Sequence, residues 1–444
     1  MAGAHKIVPR WGQPLTGIIA LIVFTLIAWV TWWIIGDPAK GIFKLYEQPF
    51  TAFLAVMIVV GVWQHIIFGD WPFQNLPPLQ RGAAMTVTNI VLSWFLIYVF
   101  FEWLGKTILP IFSTHMLYEQ AVAAAQAAGQ VLDHTQLEHL HETAMETKMA
   151  VVTFWVVTGF VTYPFWTILF QKWPWAGKLP QPAAGMAEWA WTTVVTIIVF
   201  GMLVLPHFLG LKYPQAIAWP WWYDMAPKGA QNYYYIFAFY EWMVIWLFMV
   251  ANVWRGYPWA LIKPQPWRGL VGAVGTVVFA WIAVKVCLWG MDMWWGPMQA
   301  GASDIRLLPH FRYYHAATIA GCTIMPFLAW HHFFDDWPTQ YGEAAGFFIR
   351  TIGVLVLAAV WLWIWYKISY PLFGLWPTLN IGAPNAWQLH ELGKGAFQVM
   401  NKPLVWIFWW IIPLLFNEWF MHKWPFYVEE HELAKHHGSE QHHA

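Results

Sequence analysis

Charge is what this chain has least of. Asp, Glu, Lys and Arg make up 10% of its 444 residues against 59% hydrophobic residues, which is too little polar surface to cover a soluble domain of this size. Formal net charge is zero, with 23 basic and 23 acidic residues, and that excludes the basic face nucleic-acid binding requires. Cysteine is nearly absent. Cys287 and Cys322 both lie inside apolar runs, which suits thiols packed as small hydrophobes and excludes a disulfide framework. No Gly-rich phosphate loop, CxxC or CxxCH motif, or Ser/His/Asp arrangement of recognisable spacing occurs, so nucleotide-driven and hydrolytic mechanisms have no support. Lys6 and Arg10 precede a first apolar run that lacks a small-residue cleavage site, so an uncleaved first helix is expected.

What the chain has instead is long apolar runs and tryptophan, 38 in all. A run of about 20 residues in a helix crosses a hydrocarbon core of about 30 Å. Ten such runs are predicted, at 15–35, 50–68, 82–104, 150–170, 189–209, 233–253, 269–289, 313–334, 346–368 and 404–420. They are continuous, whereas a barrel strand alternates, so the predicted fold is an all-α polytopic membrane protein. Residues 1–428 form its single transmembrane domain. The polar stretch 114–148 is read as an extramembranous insertion of two helices, the second capped by Thr135 with Glu138 and running into the fourth span. Residues 429–444, rich in His, are read as a disordered tail.

A short signature organises the runs. WHHFFDDWP at 330–338 ends the eighth, and WQHIIFGDWP at 63–72 ends the second. Aligning the Trp-Pro pairs puts His65 on His331 and Asp70 on Asp336. Trp173-Pro174, Tyr257-Pro258 and Trp424-Pro425 end the fourth, sixth and tenth runs. All five therefore lie on one side of the membrane, and the pairs 2-3, 4-5, 6-7 and 8-9 read as tandem parallel hairpins with the tenth helix a truncated fifth. The Trp-Pro part is itself explained as an interfacial anchor and helix stop. Flanking Lys and Arg divide evenly between the sides, so the positive-inside rule ties. The arginines and the N-terminus favour turns on the cytoplasmic face of a plasma membrane, the inner one in a prokaryote.

Six residues before each signature Trp or Tyr stand His65, Thr167, Ala251, His331 and Glu418. Three of these are metal-ligand types at equivalent positions. Helical i,i+4 spacing adds Asp335 to His331 and His422 to Glu418, and His332 adjoins. His65, His331 and Glu418 are thus first-choice ligands for iron, copper or zinc, with His332, Asp335 and His422 as further ligands or supports. The competing reading is that such residues at an interface are merely solvated or hydrogen-bonded to a neighbouring helix.

Other readings stay open. His207 and His315, on the opposite side, allow a second haem b in a transmembrane electron path. Glu241 and Lys285 are costly in lipid and serve either as a helix–helix ion pair or as proton or substrate sites of a transporter. Glu102 and Asp292, near helix ends, are expected to be solvated. A third reading is an anchor for redox-partner subunits, docking through the aromatic loops 213–231 and 291–310. The leading expectation is a membrane metal or haem site for electron transfer or oxidation of a small molecule. The bilayer is the one partner composition demands.

Overall fold

The computed structural model describes residues 7–36, 50–205, 232–299, 301–338, 341–373 and 396–429. The helices are α1 (Leu15–Thr31), α2 (Phe50–Gly61), α3 (Pro78–Phe95), α4 (Phe101–Thr107), α5 (Thr114–Ala127) and α6 (His134–Pro164). They continue with α7 (Ala183–Leu203), α8 (Asn232–Phe248), α9 (Trp267–Trp295), α10 (Pro309–His332), α11 (Glu343–Phe373) and α12 (Ala396–Met421). The structure is mostly helical, and seven spans are long and apolar enough to cross a membrane, which makes this a multi-pass integral membrane protein. Among the described residues two short strands are not helical. Strand β1 (Ile7–Pro9) pairs antiparallel with β2 (Tyr427–Glu429) and ties the two ends of the described chain together.

Burial separates the helices into two layers. The apolar windows of α6 and α8 are each 78% buried, whereas those of α1, α3, α7, α9 and α11 are 22–28% buried. The first kind is surrounded by protein and the second faces outward with Leu, Ile, Val and Trp exposed, as lipid contact requires. The inner layer is a closed ring in which α2 packs on α6, α6 on α8, α8 on α10, α10 on α12 and α12 back on α2. These are the five helices that end in a Trp-Pro or Tyr-Pro turn.

The five turns share one backbone path. Two consecutive residues with positive φ precede the aromatic residue each time: Gly69-Asp70, Gln171-Lys172, Arg255-Gly256, Asp335-Asp336 and His422-Lys423. The second of each pair donates its N–H to a carbonyl six residues back, as in Asp70 to Gln64 and Asp336 to Trp330, both within 3.2 Å. A π-helical turn leads into the first three, at Val62–Ile67, Phe165–Leu169 and Met249–Val253. These wide closures leave terminal carbonyls to be satisfied from outside the helix.

Outer helices supply the missing donors. Gln181 gives its side-chain N–H to Ile67 O, Gln265 to Leu169 O, Arg350 to Val253 O, Gln13 to Phe333 O and Arg81 to Phe420 O, at 2.6–3.1 Å. Close approach goes with it. Gly17, Gly82 and Gly269 lie so tightly against Phe334, Met421 and Phe170 that an added Cβ would collide. Gln13 and Gly17 belong to the entry of α1, so α1 stands to α10 as the other outer helices stand to theirs, and it also packs on α12.

Several local expectations change. The second insertion helix is capped two residues earlier than expected: Gln136 N–H donates to the Asp133 carboxylate at 2.8 Å and Asp133 N–H to Gln136 Oε1 at 3.0 Å. Asp133 is extended there, as an N-cap must be, whereas Thr135 is already helical. Helix α9 continues through Met291–Trp295, predicted as loop, and ends at Gly296 with φ +90°. Asp292 is not simply solvated, for it pairs with the fully buried Arg312 at 3.0 Å. Glu102 likewise binds buried Lys148 at 2.7 Å and accepts from Ser113 Oγ at 2.5 Å. The loop 213–231, most of the predicted loop 371–402 and the tail from 430 lie outside the described residues.

Lys148 is 3% exposed, so Glu102→Gln strands a buried ammonium, at a cost of about 3 kcal/mol. A thermal melt in detergent checks this. Lys106→Gln should melt with the wild type, since Lys106 is half exposed and 3.9 Å from Glu102.

Candidate metal centre at the ends of three inner helices

The turns of α2, α10 and α12 bring the predicted ligands to one end of the ring. A shared geometry appears first in the histidines of the repeated register. His65 Nδ1 lies 2.8 Å from Asp70 Oδ1, and His331 Nδ1 lies 3.1 Å from Asp336 Oδ1. Both pairs are i,i+5. A carboxylate only accepts, so Nδ1 carries the proton in each and Nε2 is left with its lone pair. This is the support that metal-ligating histidines use.

The helical i,i+4 rule had pointed elsewhere, to His331 with Asp335 and Glu418 with His422. Neither pairing forms. Two positive-φ residues swing the chain out of the helix, so Asp336 comes back to His331, while Asp335 is 62% exposed and meets Lys423 at 3.6 Å. His422 is carried to the opposite side of the turn, where its Nε2 stands 3.7 Å from Asp70 Oδ2.

Three donors do converge. One ligand atom from each of His331, His332 and Glu418 lies within 4.8 Å of the others. His331 Nε2 is 3.9 Å from Glu418 Oε1, and His332 Nδ1 is in direct contact with Glu418 Oε2. His332 is 3% exposed, and its Nε2 has no hydrogen-bond partner among the described residues. His65 stands outside this trio, its ring stacked on Trp419 with centroids 5.7 Å apart. The reason is topological: α12 lies between α2 and α10 in the ring, so Glu418 turns toward α10 while Trp419 covers His65. His332 thus occupies the place expected for His65.

Electrostatics around the trio were less visible in the sequence. Lys423 Nζ is 3.8 Å from Glu418 Oε1, and burial lowers the Lys423 pKa. Burial also pushes the Asp70 carboxyl up, but the hydrogen bonds from His422 and His65 outweigh it and bring the pKa from 3.8 down to about 2. Lys423 and Asp336 carried no role in the sequence reading. The alignment of Asp70 with Asp336 was the signal that, joined to an i,i+5 turn, would have found the His–Asp pairs.

The remaining predicted residues are dispersed. His315 is buried on α10, stacked on Phe311 at 5.5 Å and edge-on to Trp295 at 5.4 Å, sixteen residues from His331. His207 lies outside the described residues. Glu241 and Lys285 do not pair: Glu241 is buried in the ring, whereas Lys285 is on the outward face of α9, 5.9 Å over the Trp281 ring. Spacing along each helix could not reveal which face looked inward.

Fold and geometry together define a multi-pass helical membrane protein with a partly buried His/carboxylate cluster at one end of an inner helical ring. Comparison with protein-family models, with curated proteins and with solved structures finds no match to this chain.

Asp70 has a lowered pKa, so its stabilising effect is complete above 3.8 and is lost as pH falls through about 2. Asp70→Asn should cost about 2 kcal/mol near neutrality, and its deficit against the wild type should close as the medium is acidified over that window. Melts in detergent across pH read both effects.

Proposed function

We propose that His331, His332 and Glu418 bind one transition-metal ion and that the protein is a membrane metal-dependent oxidoreductase, or the metal-bearing subunit of one. The observation that supports this most is the convergence of two imidazoles and a carboxylate within 4.8 Å. His332 contributes a buried, unpartnered nitrogen to the group. Burying such atoms without a partner is costly, and a bound cation removes the cost. Two histidines and one carboxylate with open positions suit non-haem iron, and zinc and copper accept the same donors.

In this reading Asp336 holds the proton on His331 Nδ1 and so presents Nε2 to the ion. Lys423 Nζ stands 3.8 Å from Glu418 Oε1 as a counter-charge, and the packed Trp419 and His332 limit water. A bound redox-active ion would supply one-electron chemistry or activation of a small oxidant. Haem fits less well, because these donors converge on one point from packed helices, whereas a porphyrin needs its axial donors on opposite faces. His65 and His422 with Asp70 form a polar flank beside the site.

The membrane topology belongs to the same proposal. Ten helices cross, counting α2, α10 and α12 with the seven long apolar spans. They form five parallel two-helix units, with α1 completing the unit that α12 begins rather than leaving it truncated. The signature turns face the cytoplasm.

Metal analysis of detergent-purified protein should find about one iron, copper or zinc per chain. Glu418→Ala and His332→Ala should abolish it, and His65→Ala should retain it. Asp336→Asn should weaken affinity by roughly 10-fold to 100-fold, as loss of a histidine's supporting carboxylate does. Metal-free wild-type protein from metal-replete cells would sink the reading.

A second reading, proton- or ion-coupled transport, draws on a cavity of about 60 Å³ on the ring axis, to which all five inner helices contribute. Glu241 lines it among Ile58, Phe160, Leu328 and Leu415, and no described residue pairs with its carboxyl. A buried carboxyl facing a cavity inside a membrane is a functional site by default. If transport is the activity, Glu241→Gln in proteoliposomes should abolish pH-driven uptake while leaving metal content unchanged.

A further inference from the structure

A larger cavity, of about 250 Å³, opens away from the metal donors, between the turns that end α6 and α8. Leu169, Val250 and Trp259 form an apolar part of its lining, and Gln171, Arg255 and Arg268 a polar part. No carboxylate lines it.

Arg268 differs from the other cations at this end of the ring. Arg81 and Arg350 each give Nε to a main-chain carbonyl, Lys172 bonds Ile66 O at 2.6 Å and pairs with Glu188, and Lys423 pairs with Asp335 and Glu418. Arg268 has no side-chain hydrogen bond or ion pair among the described residues. Its guanidinium lies over Gly256, where φ is +83° and an added Cβ would come within 2.8 Å of Nη2. Arg255 touches Asp336 through Nε alone, at 3.4 Å, so its two terminal nitrogens are uncommitted there. The Trp259 Nε1–H is buried and has no acceptor among the described residues. Among the described residues, the cleft's arginines therefore meet an acceptor only where Arg255 Nε reaches Asp336.

We propose that this cleft binds a phosphate-type oxyanion, gripped by Arg268 and Arg255. Arginine forks match phosphate oxygens bidentately. The position suits a headgroup phosphate, because the cleft lies where membrane-crossing helices end. Basic pockets between such helices take anionic lipid headgroups. The apolar lining would receive the glycerol and first methylenes of a lipid, and free phosphate would use the polar half alone.

Native mass spectrometry of the full chain distinguishes these sources. Detergent-purified protein is incubated separately with phosphatidylglycerol and with inorganic phosphate. One adduct per chain is expected, and Arg268→Gln should weaken it roughly tenfold, the loss of one charge-assisted contact. Lys178→Gln, removing an exposed cation on the α6–α7 connection, should leave it unchanged. Retention of phosphatidylglycerol assigns a lipid headgroup, and retention of phosphate alone assigns a free anion. Arg268→Gln removes no described hydrogen bond, and a wild-type melting temperature verifies its fold. No adduct with either probe, or equal retention by Arg268→Gln and the wild type, overturns the proposal.

Discussion

The structure depends on how the ends of the inner helices satisfy their carbonyls. A helix that stops inside a protein within a membrane leaves acceptors that neither water nor lipid can serve, and each orphan costs several kcal/mol. Here five helices stop in the same way, by two positive-φ residues and a wide closing hydrogen bond. Each then receives a donor from an outer helix: Gln13, Arg81, Gln181, Gln265 or Arg350. Because each donor belongs to the outer helix packed on the neighbouring inner helix, every cap joins two neighbours, and five caps close the ring.

That closure also makes the cluster. The turn which frees the carbonyls throws the following side chains off the helical register, and so Asp70 and Asp336 return to His65 and His331 from five residues away. The same device closes each of these two helices and sets its His–Asp pair. Ring order then decides which groups meet: α12 stands between α2 and α10, and its consecutive residues Glu418 and Trp419 turn to different neighbours. Lys423, two residues past the end of α12, balances the acids that gather there.

Much of this was legible. Long continuous apolar runs with little charge specify a helical membrane protein, because only helices and closed barrels satisfy the backbone in lipid and barrel strands alternate. The repeated Trp-Pro register singled out His331 and Glu418, which do come together with His332. Less was legible where non-helical backbone intervened. The choice of Asp335 and His422 as helical neighbours failed because i,i+4 spacing ends where φ turns positive. Glu241 and Lys285 looked like partners because composition reports depth in the membrane but not the facing of each side chain.

By itself the sequence determined the class of fold, the places where helices stop, and the register in which imidazole and carboxylate recur. These follow from local properties, apolar length and turn-forming residues, which need no distant contact. Only the tertiary structure decided that β1 and β2 bring the ends together, that α1 lies beside α12, and that His332 rather than His65 joins His331 and Glu418. Those outcomes depend on the order in which five inner helices meet around an axis. Order around a ring is set by contacts between residues far apart in the chain, and no local pattern records it.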